Sequence, residues 1–319
     1  MHFSVLDRAA VSSAETEAET LRGVADHARH VERLGFRRFL VAEHHGVPGI
    51  PAGQPAQLAT FVASQTSRIR VGTGGIMVPN HPPFLIAEQI GLLNALFPDR
   101  IDIGLGSSVG FTKPVRAALR QGEPAEVKAR YDADLGELLS YLRGEAAVTA
   151  RPSGAGVPLF VLAGYRSALS AAKLGLGVIL GGPVDIQVKA AEAYRRAFVP
   201  SSDASEPHII SSLNIAVADS EEEARQLLVP EAFAQSVSQS TGVFRPLSAE
   251  PDVDALTTQQ RGRMEQILAN GVVGTPEQVG EHLASIARTL GVDEFLVTGD
   301  MPNREGRARS EELLSAHVG

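Results

Sequence analysis

The 319-residue chain contains no cysteine and no tryptophan. Without cysteine there can be no disulfide, thiolate metal site, iron–sulfur cluster or cysteine nucleophile, so the chemistry must come from histidine, carboxylates or a bound cofactor. Aromatic residues make up only 5% and the net charge is -8, a composition that argues against a nucleic-acid groove with its basic patches and stacking surfaces. No apolar run reaches the roughly 18 residues of a membrane span. The segment Met1-His2-Phe3-Ser4-Val5-Leu6-Asp7 lacks the basic and hydrophobic parts of a secretory signal. A cytoplasmic protein is expected.

With 44% hydrophobic and 21% charged residues, the chain can bury a full core, and it reads as a single domain over 1–319. Two segments stand out. The first, Phe39-Leu40-Val41-Ala42-Glu43-His44-His45-Gly46, and the second, Ile69-Arg70-Val71-Gly72-Thr73-Gly74-Gly75-Ile76-Met77, are runs of β-formers that stop at polar or glycine residues. Each reads as a buried parallel strand that delivers chemistry at its C-terminal end.

Similar β-rich runs cover 3–6, 38–42, 69–77, 101–105, 159–162, 178–180, 209–217 and 294–297, eight in all. Amphipathic helical patterns lie between most of them, such as 18–34 and 83–96. Eight βα units favour a closed (β/α)₈ TIM barrel of about 250 residues plus insertions over an open sheet. Two stretches, near 107–130 and 236–260, carry proline and glycine with few periodic apolar residues and read as long loops. In a barrel such insertions sit over the C-terminal face as lids.

On a barrel, the strand ends gather Glu43, His44, His45, Gly74, Gly75, Gly106, Ser107, Ser108, Gly164, Arg166, Ser167, Gly181, Gly182, Gly299 and Asp300. Such a glycine-rich mouth suits a large planar cofactor approached by backbone, and Ser167 could aim helix N–H groups at a phosphate. A metal fits less well. His44 and His45 are adjacent and point to opposite faces of a strand, and His81 and Asp102 show no zinc spacing. The run Gly104-Leu105-Gly106-Ser107-Ser108-Val109-Gly110 approaches a dinucleotide fingerprint, but Phe111-Thr112-Lys113-Pro114 is a poor helix start.

Ala42-Glu43-His44-His45-Gly46, Val71-Gly72-Thr73-Gly74-Gly75, Pro79-Asn80-His81-Pro82, Ala87-Glu88-Gln89, the run from Pro98 to Gly106 and Gly274-Thr275-Pro276-Glu277-Gln278-Val279 together resemble the bacterial luciferase-like, flavin-dependent monooxygenases. The resemblance covers nearly the whole chain, and is greatest to members from actinobacterial aromatic polyketide and antibiotic biosynthesis. It implies a (β/α)₈ barrel, a homodimer, and reduced FMN delivered by a separate NAD(P)H-dependent flavin reductase. Oxygen would add at the flavin C4a carbon to give a (hydro)peroxyflavin that hydroxylates or epoxidises a substrate, with Baeyer–Villiger insertion as a further outcome. By position His44 is similar to the family's catalytic histidine, with Glu43 and His45 beside it as further catalytic candidates. Gly74 and Gly75 resemble the pair at a non-proline cis peptide under the isoalloxazine ring. Gly106, Ser107, Gly164, Arg166 and Ser167 are the remaining cofactor-binding candidates.

The chain also departs from the family. Many members have an arginine after Gly106 that meets the FMN phosphate, where this chain has Ser107, and Arg166 could supply the missing charge. Luciferase has a reactive cysteine at the position of Gly106, so light emission is not implied. Phe111, Phe233 and Phe244 could line a pocket for a hydrophobic or aromatic substrate or merely anchor loops. A deazaflavin-dependent oxidoreductase, a non-catalytic flavin-binding protein and a metal-dependent barrel hydrolase are the alternatives.

Overall fold

A computed structural model describes residues 1–154 and 156–318. Its strands are β1 (His2–Asp7), β2 (Arg38–Val41), β3 (Arg70–Met77), β4 (Ile101–Gly106), β5 (Leu159–Ala163), β6 (Gly177–Leu180), β7 (Ile209–Val217), β8 (Val272–Gly274) and β9 (Glu294–Thr298). The helices are α1 (Glu17–Arg33), α2 (Pro55–Gln65), α3 (Pro83–Leu96), α4 (Lys113–Ala118), α5 (Pro124–Arg143), α6 (Tyr165–Leu174), α7 (Val184–Ala197), α8 (Glu221–Thr241), α9 (Thr258–Ala269), α10 (Pro276–Leu290) and α11 (Arg304–Val318).

Strands β1 to β7 pair in sequence order, β7 pairs β9, and β9 pairs β1, all parallel, so the sheet closes as a (β/α)₈ barrel. These eight strands are the eight predicted runs. The ninth, β8, pairs only with the last residues of β7, Ile215 opposite Val272, beyond the ring. Every residue of β2 and β4 is buried, as expected where helices cover a barrel whose lumen is also filled. Helix starts follow from local chemistry: Thr16 with Glu19 and Thr275 with Gln278 form reciprocal capping boxes ahead of α1 and α10. No helix among the described residues is long and apolar enough to cross a membrane.

The lumen is plugged in two layers. Toward the strand starts, the Arg38 guanidinium donates to Glu294 at 2.6 and 2.8 Å and to Asp102 at 2.9 Å, all three buried. Asp102 also accepts from Arg70, so this carboxylate braces the end of the barrel where the strands start. Above it, Leu40, Phe160, Ile179, Ile210 and Leu296 fill the lumen. At Gly72 the strands approach so closely that a Cβ would lie 1.6 Å from the Asp102 carbonyl oxygen, which excludes every other residue.

Both stretches expected as loops are more helical than their sequences suggest. The 107–130 region holds α4 and the start of α5, because Pro124 occupies the first turn, where its missing N–H costs nothing. In 236–260, α8 continues to Thr241 before Gly242 stops it, a short 3₁₀ turn spans Val253–Ala255, and α9 starts at Thr258. The insertions follow β4 and β7.

Candidate active site

Past the C-terminal ends of β1, β2 and β3 lies a cavity of about 290 Å³. Its apolar wall includes Val47, Ile50, Phe111 and Phe244, and its polar side includes Arg8, His44 and Gln235. Phe233, the third phenylalanine considered for this wall, packs instead among the residues between α8 and α9.

β2 ends on Val41, and the chain then turns, so Glu43, His44 and His45 do not simply alternate across a sheet. Glu43 is 4% exposed and is the hub. Its carboxylate accepts from the Met77 backbone N–H at 2.8 Å, the Asn80 amide at 2.6 Å, His45 Nε2 at 2.7 Å and His81 Nε2 at 3.0 Å. Burial alone would raise its pKa, but the donors from His45, His81 and Asn80 outweigh it and hold the group at about 2. Glu43, His45 and His81 bring ligand atoms within 4.8 Å of one another, a cluster that spacing rules miss because His81 follows a different strand. The ring nitrogens of His45 and His81 that face the carboxylate donate to it.

His44 is the opposite case. Its backbone N–H donates to the Ala52 carbonyl at 2.8 Å, while its ring Nδ1 is buried with no hydrogen-bond partner among the described residues. Burial, with the Arg8 charge adding to it and Glu43 opposing, lowers its pKa to about 4. The ring is therefore neutral near pH 7, beside a mainly apolar cavity.

The Gly74–Gly75 peptide is cis. A Cβ on Gly74 would lie 2.7 Å from Leu6, and one on Gly75 would lie 2.4 Å from the Gly104 carbonyl oxygen. Gly106 ends β4 against the Met77 sulfur, and Ser107 follows it half-buried. Gly164 caps α6, where Ser167 Oγ accepts from the Gly164 N–H at 3.2 Å, so Ser167 first serves its own helix. A Cβ on Gly164, Gly181 or Gly182 would meet nothing within 4 Å, which leaves a cradle of exposed backbone past β5 and β6. Arg166 is exposed there and forms no ion pair among the described residues. Neither Gly164 nor Arg166 borders the cavity that holds His44.

Arg8 and Gln235 were not legible as site residues. Arg8 follows β1 without any motif, and Gln235 belongs to the part of α8 nearest the predicted loop. Arg8 is held by Glu231 of α8 and by Asp300 after β9. Burial raises the Asp300 pKa to about 6 against the pull of Arg8, with Glu231 and Asp7 adding to the rise.

A family profile described as luciferase-like monooxygenase matches residues 1–294. The chain belongs to this family. An Escherichia coli K12 luciferase-like monooxygenase is 32% identical over 320 residues, covering 98% of this chain and 95% of that one. The crystal structure of apo-MsnO8 matches with a TM-score of 0.84 at 29% identity, covering 99% and 98% of the two chains. At 15% identity the fold is shared with the FMN-bound oxygenating constituent of 3,6-diketocamphane monooxygenase from Pseudomonas putida, TM-score 0.75, covering 100% and 97%. It is shared equally with the coenzyme F420-dependent tetrahydromethanopterin reductase of Methanopyrus kandleri, TM-score 0.70, covering 99% and 98%. As a luciferase-like monooxygenase, the chain is an oxidoreductase with a small-molecule substrate and a flavin-type cofactor.

Proposed function

We propose that this luciferase-like monooxygenase is the oxygenase of a two-component system, taking reduced FMN from a separate flavin reductase and using O2 to hydroxylate or epoxidise a hydrophobic, polyketide-type ring substrate of antibiotic biosynthesis. The observation that carries this reading is the neutral His44 ring, with its unpartnered Nδ1, in the wall of a largely apolar cavity. The residues present fit FMN. The backbone cradle at Gly164, Gly181 and Gly182, the small residues Gly74, Gly75, Gly106 and Ser107, the uncommitted Arg166 and the helix-capping Ser167 would hold its ring and phosphate. When bound, reduced FMN supplies the electrons that activate O2.

The chain's own groups do the rest. His44, a neutral imidazole in the cavity wall, takes up or returns a proton. Glu43 holds His45 and His81 in fixed orientations. Phe111, Phe244, Val47 and Ile50 exclude water and select an apolar substrate. Ser107 in place of a cation keeps a deazaflavin-dependent oxidoreductase as the second reading. A non-catalytic flavin-binding protein has no need of an unsatisfied histidine.

The test is anaerobic titration with reduced FMN and, separately, reduced deazaflavin, followed by rapid mixing with oxygenated buffer. Micromolar binding of reduced FMN, with reoxidation kinetics distinct from free flavin and altered by His44→Ala, is expected. Binding of the deazaflavin alone would replace the proposal.

The proposed homodimer draws on α2 and α3. Phe61, Leu85, Leu92 and Leu96 are 40%, 48%, 53% and 53% exposed, a concentration of large apolar side chains that water leaves uncovered.

A further inference from the structure

Arg8 is attached to the site from one side only. Its side chain is 19% exposed and borders the cavity with His44, Phe111 and Phe244. Nη2 donates to Glu231 Oε1 and lies 2.6 Å from Asp300 Oδ2. Nε and Nη1 make no hydrogen bond among the described residues, and neither is one of the sealed, unsatisfied polar atoms, so both reach open space.

Gln235 completes the arrangement. Its Nε2 donates to the same Glu231 oxygen that accepts from Arg8. A carboxylate only accepts, so the amide nitrogen must face it and the amide oxygen must face away. The other Glu231 oxygen accepts the Asp300 backbone N–H at 2.6 Å. Behind Arg8 stand two carboxylates, one of them drawn toward protonation by burial. The trio therefore carries a net charge between minus one and zero, which gives an anion no net attraction while leaving N–H donors exposed.

We propose that Arg8 is the specificity-determining residue of the cavity, donating a free guanidinium N–H to the carbonyl oxygen of a neutral, otherwise apolar ring ketone. Nε–H and Nη1–H diverge, so one of them meets the single sp² oxygen while the other stays hydrated. A hydrocarbon of the same shape would cover these donors without bonding them, and a site built around a polar contact rejects such an analogue strongly. The reaction on such a ketone rests on the monooxygenase reading; its binding does not.

The experiment titrates 1-tetralone, tetralin and 1-naphthoate into the full chain and into Arg8→Lys, read by calorimetry. Lysine keeps a positive charge against Glu231 and Asp300 but spends its single ammonium there. The wild type should bind 1-tetralone about tenfold tighter than tetralin. 1-Naphthoate should bind more weakly than 1-tetralone. In Arg8→Lys the ketone preference should fall below about threefold. Arg8→Gln combined with Glu231→Gln removes the charge pair together, and should likewise lose the preference should the lysine variant fail to fold. No detectable binding of 1-tetralone, equal binding of ketone and hydrocarbon, a preference that survives both variants, or naphthoate as the tightest ligand would overturn the proposal. Reduced-FMN titrations on the same wild-type samples separate the two ideas: failure to bind flavin sinks the monooxygenase reading and leaves the ketone result standing.

Discussion

Glu43 and His44 are adjacent in the chain and both shed their protons easily, yet one is held charged by surrounding donors and the other neutral by burial. The sign of each is testable. His44 is depressed from 6.5 to about 4, so below pH 6.5 the unfolded chain takes up a proton that the folded chain refuses. Stability is lost as pH falls through that window, by on the order of 2–3 kcal/mol from this group. Glu43 is depressed from 4.5 to about 2, and its contribution, complete above the unfolded value, disappears only at more acid pH. Denaturation curves of wild type and His44→Gln between pH 7 and 4 should converge toward acid, with the variant showing the flatter profile; parallel curves would disprove the assignment. At this scale Glu43, His44 and His45 were readable because three polar residues interrupt a strand-like run at one end. Arg8 was not, since what makes it informative is a carboxylate 223 positions away.

Among the elements, a buried clasp joins β1, α1 and α11. The His27 ring donates to Asp7 at 2.7 Å and to Glu311 at 2.6 Å, with all three side chains almost fully buried. Burial and Arg307 oppose a charge on His27, but Glu311 and Asp7 prevail and raise its pKa. Its stabilisation is thus complete below about pH 6.5 and fades as pH rises through the folded value, opposite in sign to His44. His27→Gln should cost about 3–5 kcal/mol, because two buried carboxylates lose their cation. Chemical denaturation checks this; a loss under about 1 kcal/mol would mean that the clasp contributes little beyond packing. Helix boundaries show why some elements are legible. α1 and α3 were predicted within a residue or two, since their apolar residues recur at helical spacing, and α1 also carries a capping box. β8 was missed because three residues carry no period, and the start of α5 because Gln121-Gly122-Glu123-Pro124 has the composition of a turn.

For the molecule as a whole, the barrel followed from eight apolar runs spaced by helical patterns, and its closure required no motif. The surface was harder to read. Four large apolar side chains on α2 and α3 stay exposed after folding, which the sequence does not show because they look like ordinary helix residues. If the proposed dimer uses this face, Leu92→Glu should convert it to a monomer in sedimentation analysis while leaving the circular dichroism spectrum unchanged. An unchanged mass would remove this face as the contact.

Closure has a temporal side as well. β1 pairs early with β2 but must wait for β9, whose residues follow it by almost the whole chain, and the partners Glu231 and Asp300 of Arg8 are equally late. Contacts so distant in sequence form only after a large loss of chain entropy. On the ribosome, the outer edge of β1 therefore stays open through most of synthesis, and the cavity acquires its charged wall among the last events. The residues that select a ligand are also the ones that mark a finished barrel.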